Sequence, residues 1–135
     1  MTRTALGNYG FSVNVHADDT HLATALTIES LGFGTLWING GALDRLDRLT
    51  DLLRATSTSM VGSSIIPPDR YGPADVSRLY ESAEKHAPGR LVVGLGSPHR
   101  HDALTVLQQY LGKLEVPPQR RMLAAFGPRA LRVAR

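Results

Sequence analysis

Two apolar periods alternate along this chain, and that alternation constrains the fold more than any other feature. Tyr9 to Val15 (YGFSVNV) alternates as a strand does. Thr35 to Ile38 (TLWI) and Leu91 to Leu95 (LVVGL) are short, wholly apolar runs, and Thr58 to Ile66 (TSMVGSSII) reads as a strand interrupted at Gly62. Helical spacing fills the intervals. Asp18, Asp19 and Thr20 offer N-cap chemistry before Leu22, Ala25 and Leu26, and Gly32 suits the helix end. Leu43, Leu46, Leu49 and Leu53 form one face of a second helix, with Asp44, Asp47, Arg48 and Asp51 on the other. Pro73 fits the first position of a third helix, which carries Val76, Leu79, Tyr80 and Ala83 and stops at Ala87-Pro88-Gly89. A fourth is predicted over Asp102 to Leu114. After the Pro117-Pro118 break, a last helix is predicted from about Gln119 to Val133, interrupted at Gly127-Pro128.

The order β-α-β-α-β-α-β-α-α describes an α/β chain built on a parallel sheet. Four β-α units are about half of a TIM-type (β/α)₈ barrel, which takes about 250 residues. Because the chain ends on a helix, no fifth strand is expected. A doubly wound four-stranded sheet uses the same element order, and periodicity alone does not separate the two. At 135 residues, one domain spanning 1–135 is expected.

Composition narrows the chemistry. There is no cysteine, which excludes disulfides, thiolate metal sites and cysteine nucleophiles. No run approaches the roughly 18 apolar residues of a membrane span, and Met1 to Gly7 lacks an apolar signal region, so a cytoplasmic address is expected. Net charge is +3, with Arg120, Arg121, Arg129, Arg132 and Arg135 clustered near the end. Such a tail reads as the solvated face of a helix, and nucleic-acid binding is not expected.

In parallel α/β folds, ligands bind beyond the carboxyl ends of the strands. That rule selects Asn14 to His16, Asn39 to Gly41, Ser63 to Pro67 and Gly94 to His99. Gly62-Ser63-Ser64 within a strand suggests a bulge or close backbone approach. Asn39 can both donate and accept hydrogen bonds, or serve as a turn residue before two glycines. Gly94-Leu95-Gly96 begins like a dinucleotide fingerprint, but His99 stands where the third glycine would be. His16 stands at a strand end with a titration range suited to acid–base work, although a solvent-facing role is the simpler reading. His21 and His86 fall within helical segments and read as structural. No acidic residue has ligand spacing to His99-Arg100-His101, so no metal site is expected. Neither a G-x-S-x-G elbow nor a phosphate loop occurs, and no carboxylate pair stands at the strand ends. A cofactor carrying its own redox chemistry fits this set of residues better than protein-borne catalysis.

Several segments resemble luciferase-like monooxygenases. Leu31 to Ile38 (LGFGTLWI) is similar to their first-helix to second-strand segment, and Ala55 to Thr58 leading into Gly62-Ser63-Ser64 to their third-strand entry. Pro88 to Gly96 (PGRLVVGLG) is similar to their fourth strand. Leu123 to Arg129 (LAAFGPR) resembles the LAALGP helix start found in the subgroup predicted to use coenzyme F-420. The resemblance implies the amino-terminal half of a barrel holding F-420, or alternatively FMN, and an oxidoreductase acting on a small molecule. It further implies a bulge in the third strand, often with a non-prolyl cis peptide, backing the cofactor ring. The cofactor-binding residues so indicated are Asn39, Gly62, Ser63, Ser64 and Gly96. Relatives run to about twice this length, and their principal phosphate-binding loops come late in the barrel. A truncated barrel exposes sheet edges, so a homo-oligomer is expected, and a non-catalytic half-barrel serving as a partner subunit is the alternative.

Overall fold

The computed structural model describes residues 5–98, 100–125 and 127–135. Five strands form one parallel sheet: β1 (Gly10–Ser12), β2 (Thr35–Asn39), β3 (Met60–Ser64), β4 (Leu91–Leu95) and β5 (Arg121–Leu123). Between and after them run α1 (His21–Ser30), α2 (Asp47–Ala55), α3 (Pro73–His86), α4 (Ala103–Lys113) and α5 (Pro128–Ala134).

Strand order decides between the two architectures that periodicity leaves open. It is β1-β2-β3-β4-β5, each strand beside its neighbour in sequence. A doubly wound sheet must reverse its strand order, and this one does not. Right-handed crossovers in one direction place every helix on the same face of the sheet. Successive helices accordingly touch, α1 with α2 through to α4 with α5. This is one arc of a (β/α) barrel.

The core lies between helices and sheet. On β2, Leu36 and Ile38 are wholly buried, as are Val61 on β3 and Leu91, Val93 and Leu95 on β4. They meet Leu49, Leu52, Val76 and Ala83 from the helices. Burying these apolar side chains stabilises the arc by about 1.5–3 kcal/mol for each large one. In α1 the buried stripe is His21, Ala25 and Ile28, while Leu26 is 52% exposed. The stripe is rotated relative to the predicted one because a buried histidine, not an apolar residue, begins it. Gly32 follows that helix at φ +93, a conformation that suits glycine at a helix end.

Two sequence expectations need correction. A fifth strand exists: Arg121, Met122 and Leu123 pair in parallel with Val93, Gly94 and Leu95. The predicted helix over 119–133 is therefore a short turn, this strand, and α5 beginning at Pro128. Three residues are too few for a strand period to show, and Leu123-Ala124-Ala125 favours helix locally. Pairing with β4 overrides that preference. Likewise β1 covers only Gly10–Ser12 of the predicted 9–15, although the Val13 N–H still donates to the Trp37 carbonyl at 2.8 Å. Among the described residues β1 pairs with β2 alone.

A candidate ring site at the carboxyl ends of the strands

Side chains alternate across a strand, so residues not turned toward the helices lie on the inner, concave face. On this arc they include Gly10, Ser12, Trp37, Asn39, Gly62, Ser64, Gly94 and Met122. Few are bulky, whereas complete barrels fill this space with layers of large side chains. A cavity of about 510 Å³ results, lined by Gly10, Ser12, Trp37, Asn39, Ser63, Ser64, Ile65, Gly94, Met122, Leu123 and Ala124.

Trp37 forms its floor. The indole reaches across three strands because two glycines make room for it. A Cβ on Gly10 would stand 2.7 Å from the indole Nε1, and one on Gly62 would stand 2.4 Å from Cζ3. Both distances are below any real contact, so the tryptophan requires glycine on both neighbouring strands.

One wall is a bulge between β3 and β4. Gly62 is level with Val92, but Ile66 is level with Leu95: four steps along one strand against three along the other. The Ser63 hydroxyl repairs the gap. It accepts the Gly94 N–H at 2.8 Å and donates to the Gly94 carbonyl at 2.9 Å. The Ile66 N–H donates to that same carbonyl at 2.7 Å, and the Gly96 N–H to the Ile66 carbonyl at 3.0 Å. The Ser64–Ile65 peptide is cis and non-prolyl, at the strand where the resemblance implies one. A Cβ on Gly96 would lie 2.1 Å from Cδ1 of Ile65, so that glycine clears a seat for the bulge.

The structure thus brings Asn39, Ser63 and Ser64 together on one cavity. Gly62 lies beneath Trp37 and Gly96 beneath Ile65, beside the cavity. Sequence reasoning missed Gly10, Ser12, Trp37 and Met122. The signal was present: Trp37 and Asn39 alternate with Leu36 and Ile38, but a run read as wholly apolar conceals which face each residue takes.

Outside the cavity, ion pairs and tyrosines tie the loops after β2 and β3 to the helices. The buried Arg48 guanidinium bonds both oxygens of Asp44, at 2.9 and 3.1 Å, and reaches Asp19 at 2.7 Å. The hydrogen bonds from Arg48 hold the Asp44 carboxyl down at about 2. Tyr71 donates to the Leu43 carbonyl, and Tyr110 donates to the Tyr71 carbonyl. His21 is 2% exposed, and its Nδ1 accepts the His16 N–H at 3.1 Å. Burial, then Arg48, lower its pKa. Neither buried His21 nor exposed His16 is among the cavity residues. His99 lies outside the described residues. Among the described residues no group of three or more His, Asp or Glu side chains is placed to hold a metal.

A second cleft, of about 560 Å³, lies between α4 and α5, lined by Ser97, Leu104, Leu107, Arg129, Arg132 and their neighbours. Helix side chains supply most of it. The smaller cavity is the stronger candidate because residues from all five strands converge there, at the end of the sheet where parallel folds bind ligands.

No protein-family model matches the chain, and no curated protein matches it in sequence. Solved structures do match. An F-420-dependent secondary alcohol dehydrogenase, in complex with an F-420–acetone adduct, superimposes with TM-score 0.55 at 23% identity, over 70% of this chain and 32% of that one. The coenzyme F-420-dependent tetrahydromethanopterin reductase from Methanopyrus kandleri gives 0.57 at 20%, over 77% and 30%. A monooxygenase from Streptomyces bottropensis gives 0.54 at 16%, over 81% and 40%. The likeness is one of fold. This chain spans about a third of the length of these proteins.

Proposed function

We propose that this chain supplies the ring-holding part of a luciferase-like oxidoreductase, with coenzyme F-420 as cofactor and FMN as the alternative. The observation that carries the reading is the cavity itself: a concave strand-end site floored by Trp37 and lined by residues of all five strands, in a fold shared with F-420-dependent enzymes. Small residues leave space for a flat ring. Asn39 and Ser64 would hold its polar edge, and the Ser63–Ile65 bulge would back it. Gly62 and Gly96 act indirectly, through the placement of Trp37 and Ile65. When bound, such a cofactor exchanges hydride with a small-molecule substrate, which suits a site whose described lining holds no acid or base. Titrating the protein with F-420 and with FMN, while following fluorescence, tests this. Saturable binding of either is expected, and no binding of both at high micromolar concentration would reject it.

Among the described residues the outer edges of β1 and β5 pair with no further strand, which favours a second property, self-association. Tyr9, Phe11 and Met122 are 72%, 40% and 44% exposed on or beside those edges. Sedimentation at increasing concentration is expected to show a species heavier than the monomer. A monomer at every concentration would exclude it. The basic cluster offers less for nucleic acid than its count suggests. Arg120 is committed to Glu84 and the Gly89 carbonyl, and Arg121 to the carbonyls of Val116 and Leu114.

A further inference from the structure

The turn between β1 and α1 is fastened by a histidine poorly placed to carry a charge. His21, the first residue of α1, is 2% exposed. Its Nδ1 accepts the backbone N–H of His16 at 3.1 Å, so the ring proton sits on Nε2. Nε2 is buried and meets no hydrogen-bond partner among the described residues. The charged and titratable groups facing the ring are His16 and Asp19 from the turn and Arg48 and Asp51 from α2. Thr20, at the helix start, makes no side-chain cap; its hydroxyl is turned to Asp18 instead. Two side-chain ties therefore hold the turn to the helices. One is His21 to His16, and the other is Arg48 to Asp19 at 2.7 Å.

We infer that His21 makes this turn an acid-opened latch, shut while the ring is neutral and released when it is protonated. Protonation places an N–H on Nδ1, the atom that accepts from His16, so two donors then face one another. The other N–H, on Nε2, has no acceptor among the described residues to offset the charge. The new cation lies near the buried Arg48 guanidinium, whose own charge is met by Asp44 and Asp19. In the opened turn the ring reaches water and binds its proton as an ordinary histidine does. In the closed turn burial, and then Arg48, hold the pKa below 6.5. Proton binding therefore favours the open turn. The latch is shut above about pH 6.5 and loosens as pH falls below it. The turn leads away from the carboxyl end of β1, the strand that gives Gly10 and Ser12 to the cavity. The device does not depend on which ligand that cavity takes.

Amide hydrogen exchange followed by NMR reads the latch at His16, Asp19 and Leu22, with the amides of α3 as the reference. Between about pH 7.5 and about pH 5, after correction for intrinsic rates, protection of the turn is expected to fall about fivefold more than that of α3. Ring nitrogen shifts at neutral pH are expected to show Nε2 protonated and Nδ1 bare, and the His21 ring to titrate below 6.5. His21→Asn supplies an oxygen that can accept the His16 N–H but nothing that takes a proton near neutral pH. Its turn is expected to stay protected at both pH values. Turn protection in the unaltered chain that follows α3 at both pH values overturns the inference. So does a proton on Nδ1 at neutral pH, or a His21 midpoint at or above 6.5. An equal loss of protection in His21→Asn assigns the titration to His16 or a carboxylate, and overturns it as well.

Discussion

Glu29, near the end of α1, accepts the backbone N–H groups of Ser57, Thr58 and Ser59 at 2.8–3.0 Å. It joins the first helix to the entry of β3, some thirty positions away. Burial alone would raise its pKa, but the N–H groups of Ser57, Ser59 and Thr58 outweigh that and hold it at about 2. A depressed carboxylate stabilises the fold above its unfolded pKa. That contribution is lost as pH falls from about 4.5 through about 2. Glu29→Gln is expected to cost about 1 kcal/mol near neutral pH, since partial exposure weakens the charge-assisted bonds. Urea denaturation at several pH values should show the gap between wild type and variant closing toward pH 2. A gap that stays constant, or widens in acid, contradicts the assignment. Nothing in the sequence marked Glu29, because its partners are backbone groups brought near only by the fold. Arg90 was visible only as part of a familiar segment. The structure gives it a task at the amino ends of the strands, donating to the carbonyls of Ser59, Leu53 and Thr56. In barrels that end of the sheet serves stability.

The strands and helices were legible where their periods ran long enough. β2, β3, β4, α3 and α4 lie within a few residues of their predicted spans, because apolar runs and the Pro73 and Pro88-Gly89 boundaries mark them. β5 was not, since a three-residue strand displays no period. Two proline breaks, at 117–118 and at 128, bracketed it all the same. The contact that most shapes the inner face joins three strands through Trp37. Gly62→Ala places a methyl where the indole already lies, and overpacking of this kind costs about 1–3 kcal/mol. Replacing Trp37 by Leu should relieve the clash. The double variant is therefore expected to be less destabilised than the sum of the two single variants. Denaturant titration of all four proteins reads the coupling. Additivity within about 0.5 kcal/mol would mean that the two side chains do not meet.

Across the molecule, periodicity gave alternation but not closure. A barrel arc and a doubly wound sheet share one element order. They differ in which strands are neighbours, and that is decided by packing between residues far apart in sequence. The sequential order observed here turns all five helices to one side and leaves the other as a concave face. Of that face, the sequence revealed Asn39 and the Ser63-Ser64 bulge by residue type. It concealed Trp37, Ser12 and Met122, whose direction depends on strand pairing. If this cavity is the ring site, a flat ring bound to the chain must perturb its lining residues. The most direct measurement is an amide and indole NMR titration of the labelled chain with lumiflavin or the deazaflavin headgroup. Shifts at the Trp37 indole N–H, the Asn39 side-chain amide and the backbone of Ser64 and Gly94 are expected. Shifts confined to Ser97, Leu104 and Arg129 in the α4–α5 cleft, or none at all, would contradict it.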